Sequence, residues 1–350
     1  MEKQGFKAFL KKKDIEFSAK RYFIDALGAM AQGLFASLLI GTIISTIGSQ
    51  FGIDILVEIG GFAKQCAGVA MAVAIGYALK APPLVLFSLA AVGWAANDLG
   101  GAGGPLAVLL IAVVSAELGK LVSKETKIDI LVTPLTVILS GGLLSHFCAP
   151  YIGRAASAVG TAIMWATEQK PLIMGIIVSV VVGIALTLPI SSAAICAALG
   201  LTGLAGGAAV AGCCAQMIGF AVMSFKENKW GGLISQGIGT SMLQMPNIIK
   251  NPKIWIAPIV TSAITGPLAT CLFKMEMNGT PVSSGMGTCG LVGQIGVYSG
   301  WVADGKVITA FDWIGLILIC FILPAVLSTV FCMIEKRLGW IKDGDLKLND

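Results

Sequence analysis

Long apolar runs separated by short polar and basic patches dominate the chain. They predict membrane-crossing helices at 24–49, 63–79, 84–98, 105–123, 130–150, 171–187, 203–225, 232–249, 254–273 and 312–334. A helix needs about 20 apolar residues to cover the hydrocarbon core of a bilayer. From Pro171 to Phe225 there is no Asp, Glu, Lys, Arg or His, which leaves room for two crossings and something between them. A second uncharged run extends from Met277 to Ala303. The pattern reads as an all-α, polytopic transmembrane bundle of about ten crossings, in which 63–79, 84–98 and 232–249 are short or interrupted.

Two stretches break the helical pattern. Thr187-Leu-Pro-Ile-Ser-Ser-Ala193 runs on to Gly200, and Thr280-Pro-Val-Ser-Ser-Gly285 runs on to Gly296. They echo each other as Pro-[Ile/Val]-Ser-Ser-[Ala/Gly]. Proline removes a backbone donor and blocks a helix. Irregular backbone at membrane depth is tolerated only where protein buries it or it lines a watery cavity. Interrupted segments in corresponding positions of two halves are the best sequence pointer to a transporter's binding site. The expectation is an inverted pair of re-entrant hairpins; the alternative is two plain loops at helix ends.

Composition agrees with lipid as the solvent. Charged residues are 12% of the chain and apolar residues 56%, against about 25% and 45–50% in soluble domains. The net charge of +5 comes from basic residues at the ends and in short loops, where the positive-inside rule puts them, so it does not suggest nucleic acid. The expected division is a cytoplasmic basic segment at 1–23, a transport domain at 24–334 and a cytoplasmic tail at 335–350. No cleavable signal peptide is expected ahead of the first crossing. Lys120, Lys124 and Lys127, then Lys250 and Lys253, then Lys336 and Arg337 follow even-numbered crossings, which places both termini in the cytoplasm. Lys226 and Lys229 fall on the outer side in this scheme. The nine cysteines include no C-x-x-C pair and read as small apolar packing residues, with no disulfide framework and no zinc site. The stripe Gly203, Gly207, Ala211 suits close helix approach in lipid.

Polar groups at membrane depth are expensive, so those inside apolar stretches are candidates for solute contact. Asn97 and Asp98 lie in a Gly-rich stretch that is either an outer turn or a broken helix facing a cavity. His146, the single histidine, either meets solute or sits at an interface. Glu276 and Asn278 precede the second Pro-Ser-Ser stretch, where a carboxylate can grip hydroxyls through charged hydrogen bonds; Glu276 can equally pair with Lys274. Ser191, Ser192, Ser283 and Ser284 offer small donors and acceptors. Gln216, Gln244, Asn247 and Gln294 offer amides, each also suited to joining helices. Gly285-Met-Gly-Thr-Cys-Gly290 fits G-x-G-x-x-G, but its flanks are membrane segments and not a βαβ unit, so it is no dinucleotide site. Neither a metal nor a cofactor is indicated.

Four segments carry a family resemblance: Arg21-Tyr-Phe-Ile-Asp-Ala-Leu-Gly-Ala-Met-Ala, Ala116-Glu-Leu-Gly-Lys-Leu-Val-Ser-Lys, Ile254-Trp-Ile-Ala-Pro-Ile-Val-Thr-Ser-Ala-Ile-Thr-Gly-Pro267 and Gly285-Met-Gly-Thr-Cys-Gly-Leu-Val-Gly-Gln-Ile295. With them the chain resembles the perfringolysin O regulator family, grouped with the enzyme IIC membrane subunits of the sugar phosphotransferase system. The resemblance implies a homodimer in a bacterial cell membrane, with a scaffold part and a mobile part that holds a sugar. It implies inward transport and phosphorylation by a separate IIB partner supplied by IIA, so the chain alone is not expected to be an enzyme. The tail after Glu335 is too short for a IIA or IIB domain. The Gly-Ile-Thr-Glu signature of glucose-type permeases is absent, and Glu276 is its nearest positional counterpart. Two other readings use the same architecture: an ion-coupled secondary transporter relying on Asp98, Glu276 or His146, and a non-transporting membrane sensor. Lys7 to Arg21 would be the sensor's contact surface or an amphipathic segment lying on anionic lipid.

Overall fold

The computed structural model describes residues 8–348, and these form helices and their connections, with one isolated bridge between Gly203 and Met277. Residues 1–7 of the expected N-terminal segment and 349–350 of the expected tail lie outside the described residues. Six helical runs among the described residues are long and apolar enough to cross a membrane: Arg21–Phe51 (α1), Pro83–Val122, Asp129–Thr167 (α6), Gly203–Met223 (α9), Pro252–Leu272 (α12) and Ala310–Arg337 (α15). The pair Asp54–Gln65 (α2) and Ala67–Ala78 (α3), bent by 46°, makes a seventh, and Pro171–Thr187 (α7) is apolar but shorter. The chain clusters into two compact units, one of residues up to Gly41 with Gly61–Ala155, the other of Thr42–Gly60 with Ala156–Asp350.

In the first unit the Pro83–Val122 run is a helical hairpin. Pro83–Gly100 (α4) and Gly104–Val122 (α5) are separated by Gly101, whose φ of 48° turns the chain as an L side chain rarely can. Gly104 then lies against Asn97, and Gly119 against Val85, so α4 and α5 run antiparallel. Glycine sets the approach of α3 and α4: a Cβ on Gly93 would stand 2.2 Å from the Gly68 carbonyl oxygen, and one on Gly68 2.3 Å from that of Gly93.

The same unit buries charge at one end. Lys120, 1% exposed, donates from Nζ to the Asp14 carbonyl (2.6 Å) and the Leu79 carbonyl (3.0 Å) and pairs with Glu117 (3.1 Å). Arg21 donates to the Asp14 carboxylate and to the Leu79 carbonyl, both at 2.7 Å, and Tyr22 donates to Glu117 at 3.2 Å. Leu79 caps α3, so two cations sit where the helix carbonyls and the negative end of the dipole are exposed. Arg21 also holds the Asp14 carboxyl below its usual range. Lys13 donates to the Ser123 carbonyl and pairs with Glu125. This part of the basic N-terminal segment is therefore docked on the end of α5.

In the second unit, α9 is the central helix, buried along almost its whole length. Its neighbours are α7 and α12. Ser179 and Gly183 of α7 meet Gly212, and Thr187 meets Gln216, so numbers rise together and α7 runs parallel to α9. By contrast Ser262 of α12 meets Gly212 while Trp255 meets Gln216, so α12 is antiparallel to α9. Because α7 and α9 run the same way, residues 188–202 must travel back from the level of Gln216 to that of Gly203.

Two expectations change. The predicted crossing at 232–249 is not one helix. It divides into Phe225–Ile234 (α10), a wide π turn at Ser235–Gly239, extended Thr240, a 3₁₀ turn at Ser241–Gln244 and Met245–Lys250 (α11). Gly237, Gly239, β-branched Thr240 and Pro246 account for the breaks. The helix expected to end near Pro150 instead continues to Thr167 with Pro134 and Pro150 inside it, as membrane helices tolerate where neighbours satisfy the freed groups.

Overpacking typically costs about 1–3 kcal/mol, and Gly93→Leu should cost at least that, seen as a lower melting midpoint in detergent. Gly142→Ala, mid-helix and with a Cβ that meets nothing within 4 Å, should keep the midpoint or raise it slightly. Lys120→Met takes from the buried Glu117 carboxylate its cation and from the Asp14 carbonyl its Lys120 donor, and should destabilise by about 3–5 kcal/mol, as breaking a buried ion pair does. A midpoint equal to that of the unaltered protein would show the cluster to be energetically idle.

Candidate functional site

The two Pro-Ser-Ser stretches meet. Leu188 leaves α7 in an extended conformation ahead of Pro189, and Ser191 caps Ser192–Ala198 (α8) by accepting from the Ala194 amide. Ser192 then donates to the Gly285 carbonyl at 2.7 Å. In return, Ser284 of Pro281–Ser284 (α13) donates to the Leu201 carbonyl at 2.6 Å. Gly203 exchanges both backbone hydrogen bonds with Met277 and donates to the Asn278 side chain at 3.0 Å. Backbone groups that proline and glycine release from helices are thus repaired across the junction. Contact is close because it must be: a Cβ on Gly285 would meet the Ser192 carbonyl at 2.6 Å.

The second stretch is an excursion that leaves and returns. It enters at Asn278 and comes back through Val292–Ala303 (α14), where Gly300 packs on the Asn278 backbone and Asn278 donates to Asp304 at 2.6 Å. Its turn holds Gly287, Gly290 and Leu291 at φ of 54°, 52° and 59°. Leu291 is bulky for this region, and such conformations cluster at functional sites. At the turn Thr288 donates to the Gly237 carbonyl at 2.5 Å.

Gly237 belongs to a second excursion, residues 225–251. Its start and its end both touch the segment after α15: Lys226 pairs with Asp343, and Asn251 donates to the Trp340 carbonyl. The out-and-back partner of the 278–304 excursion is therefore 225–251. The stretch at 187–200, expected to be a hairpin, is instead the broken return leg between two parallel helices. The reason is the direction of α7, which only its packing on α9 reveals.

Of the expected solute-contacting residues, Ser192, Ser283, Ser284 and Asn278 gather at the junction, with Ser191 capping α8 and Ser283 bonded to Thr280 (3.0 Å). Exposed Glu276 accepts from Asn278 at 3.4 Å, and no pairing with Lys274 is formed. Gln216 is fully buried between α7, α9 and α12, accepting from Trp255 (2.8 Å) and Thr187 (3.2 Å), and Thr187 also bonds Ser241 (2.8 Å). Gln294 is 8% exposed; its amide nitrogen donates to Cys214, while its oxygen has no partner among the described residues.

Gln244 and Asn247 do not reach the junction. They bond each other (2.8 Å) and the backbone after α15. Asn97, Asp98 and His146 belong to the first unit. Asn97 is wedged between Gly68 and Gly104, Asp98 is exposed, and His146 is exposed with its ring edge-on to Phe147 at 5.1 Å. Sequence reasoning missed Thr187, Thr288, Ser241 and Trp255, and also Glu227, Asn228, Gln236 and Asn251. Of the last four only Gln236 had a signal, an amide inside an expected crossing; Glu227, Asn228 and Asn251 lie in the short connections flanking it.

No curated protein matches the chain. The family model that matches does not name the perfringolysin O regulator group. A family model described as "Phosphotransferase system, EIIC" matches residues 24–348, from α1 into the segment after α15, and the chain belongs to that family of multi-pass, membrane-embedded sugar-permease components.

Proposed function

We propose that the chain moves a sugar inward across a bacterial plasma membrane by alternating access, and hands it to separate IIA and IIB proteins for phosphorylation. The carrying observation is the junction of the two Pro-Ser-Ser stretches, where Ser192 meets Gly285 and Ser284 meets Leu201. Small hydroxyls, freed backbone groups and the unspent oxygen of Gln294 are the chemistry that replaces a sugar's hydration. The serines at the junction, Asn278 and Gln294 are the side chains assigned to the sugar. Gln216 positions the surrounding helices.

Charge supports the orientation. Lys226, Lys253 and Lys336 all contact the segment after α15, through Asp343 or Trp340. Gathering them on one face follows the positive-inside rule and makes that face the cytoplasmic one, with Lys170, Lys274 and Lys306 as the lysines left on the other. With 188–202 as a broken crossing in place of 232–249, the count returns to ten and both termini face the cytoplasm. The assembly is a homodimer, as the resemblance implies.

Proteoliposomes given phosphoenolpyruvate, the general phosphotransfer proteins and IIA and IIB partners should accumulate sugar phosphate. Uptake of free sugar that ignores phosphoenolpyruvate and collapses with an ionophore would select ion coupling instead. Removing one neutral hydrogen bond costs about 0.5–1.5 kcal/mol, so Gln294→Leu should lower uptake up to about tenfold with unchanged protein yield. Uptake at the unaltered rate would remove Gln294 from the site.

A further inference from the structure

The segment 338–348 does not lead away from α15; it folds back over the 225–251 excursion. Gly339 turns it at a φ of 70°, and Ile341 and Leu346 are buried at 2% and 0% exposure. Beyond those two anchors the grip is on backbone. Asn228 and Gln244 donate to the Leu346 carbonyl at 2.8 and 2.9 Å, and Asn247 donates to the Lys347 carbonyl at 2.8 Å. Glu227 accepts from the amides of Gly344 and Leu346 at 3.1 and 3.0 Å, and Asn228 accepts from Leu348 at 2.9 Å. The excursion thus supplies side chains that treat a turn-rich peptide as a ligand.

Three features make this hold reversible. Its bonds are mostly from neutral amides, which water can replace at little net cost. A polar cavity of about 470 Å³, lined in part by Asn247, Lys250 and Lys347, opens beside those bonds. Its charged rim is exposed: Lys226 and Lys336 pair with Asp343 at 3.3 and 3.0 Å. These lysines hold the Asp343 carboxyl below its usual range, so the rim stays charged at neutral pH.

The clamped excursion is also the one whose far end reaches the junction, through Gly237 to Thr288 and through Ser241 to Thr187. We infer that residues 338–348 are a releasable strap that latches the 225–251 excursion against the junction, and that the strap must lift for solute to leave toward its face. The gating half of this inference rests on the permease reading; the releasable strap does not.

Hydrogen exchange on the full chain in liposomes tests the strap alone. The amides of Gly344, Leu346 and Leu348 should exchange together and faster than those of α9. Glu227→Ala should speed them about tenfold or more while α9 is unchanged. Strap amides as slow as α9, or indifferent to Glu227→Ala, overturn the inference. For gating, Lys226→Cys with Asp343→Cys is joined by a cleavable bismaleimide, with exposed Cys66, Cys148 and Cys271 changed to serine. Counterflow of radiolabelled hexoses and disaccharides should fall about tenfold when pinned and recover on cleavage. Equal counterflow pinned and free overturns the gate. If the unaltered protein carries no sugar of the panel, the permease reading fails, and the exchange result still decides the strap.

Discussion

Everything in the second unit follows from one constraint: a backbone amide or carbonyl in hydrocarbon must find a partner. Proline and glycine at 188–203 and 278–292 release such groups from helices. The protein answers each release from the opposite stretch, Ser192 to Gly285, Ser284 to Leu201 and Gly203 to Met277. The broken elements are bound to each other because neither could remain in lipid alone. That mutual dependence is also what makes them suitable for a site, since the groups that repair one another can instead be offered to a polar solute.

Close approach is the second requirement, and glycine meets it. At Gly212 a Cβ would stand 1.9 Å from the Ser179 carbonyl, and at Gly207 1.7 Å from that of Met275. At these distances no side chain fits, so α9 touches α7 and the irregular segment around Met275 backbone to backbone. Dispersion and weak polar contacts then replace the hydrophobic drive that is missing between helices in lipid. The small-residue stripe along α9 is therefore a packing surface, and the polar residues it carries, such as Gln216, knit helices together at the same depth.

Charges are handled differently in the two units. In the first, Lys120, Glu117, Arg21 and Asp14 form a cluster whose cations are matched by two carboxylates, by the Asp14 carbonyl and by the Leu79 carbonyl at a helix end, which accepts from both. In the second, Lys226, Lys336 and Asp343 sit at an exposed rim and surround neutral amide bonds. A cluster built around a buried lysine holds its elements together, whereas an exposed rim over amide bonds can open and close.

The membrane class, the all-helical architecture, most helix positions and the two stretches that fail as helices were legible from residues alone. Each depends on local composition: apolar length, proline, glycine and the scarcity of charge. Membership of the EIIC family was legible too, in the four motif segments. Which broken stretch pairs with which was not, because Pro189 and Pro281 lie in near-identical local sequence. One became a return leg and the other an excursion only because α7 packs parallel to α9. The amides were equally ambiguous. Gln244 and Asn247 resemble Gln294 in their apolar setting, yet they are spent on a segment 100 or more residues later, while Gln294 keeps an acceptor free. Partnership across such separations is decided by where whole helices lie against one another, and no local pattern of polar and apolar residues encodes that.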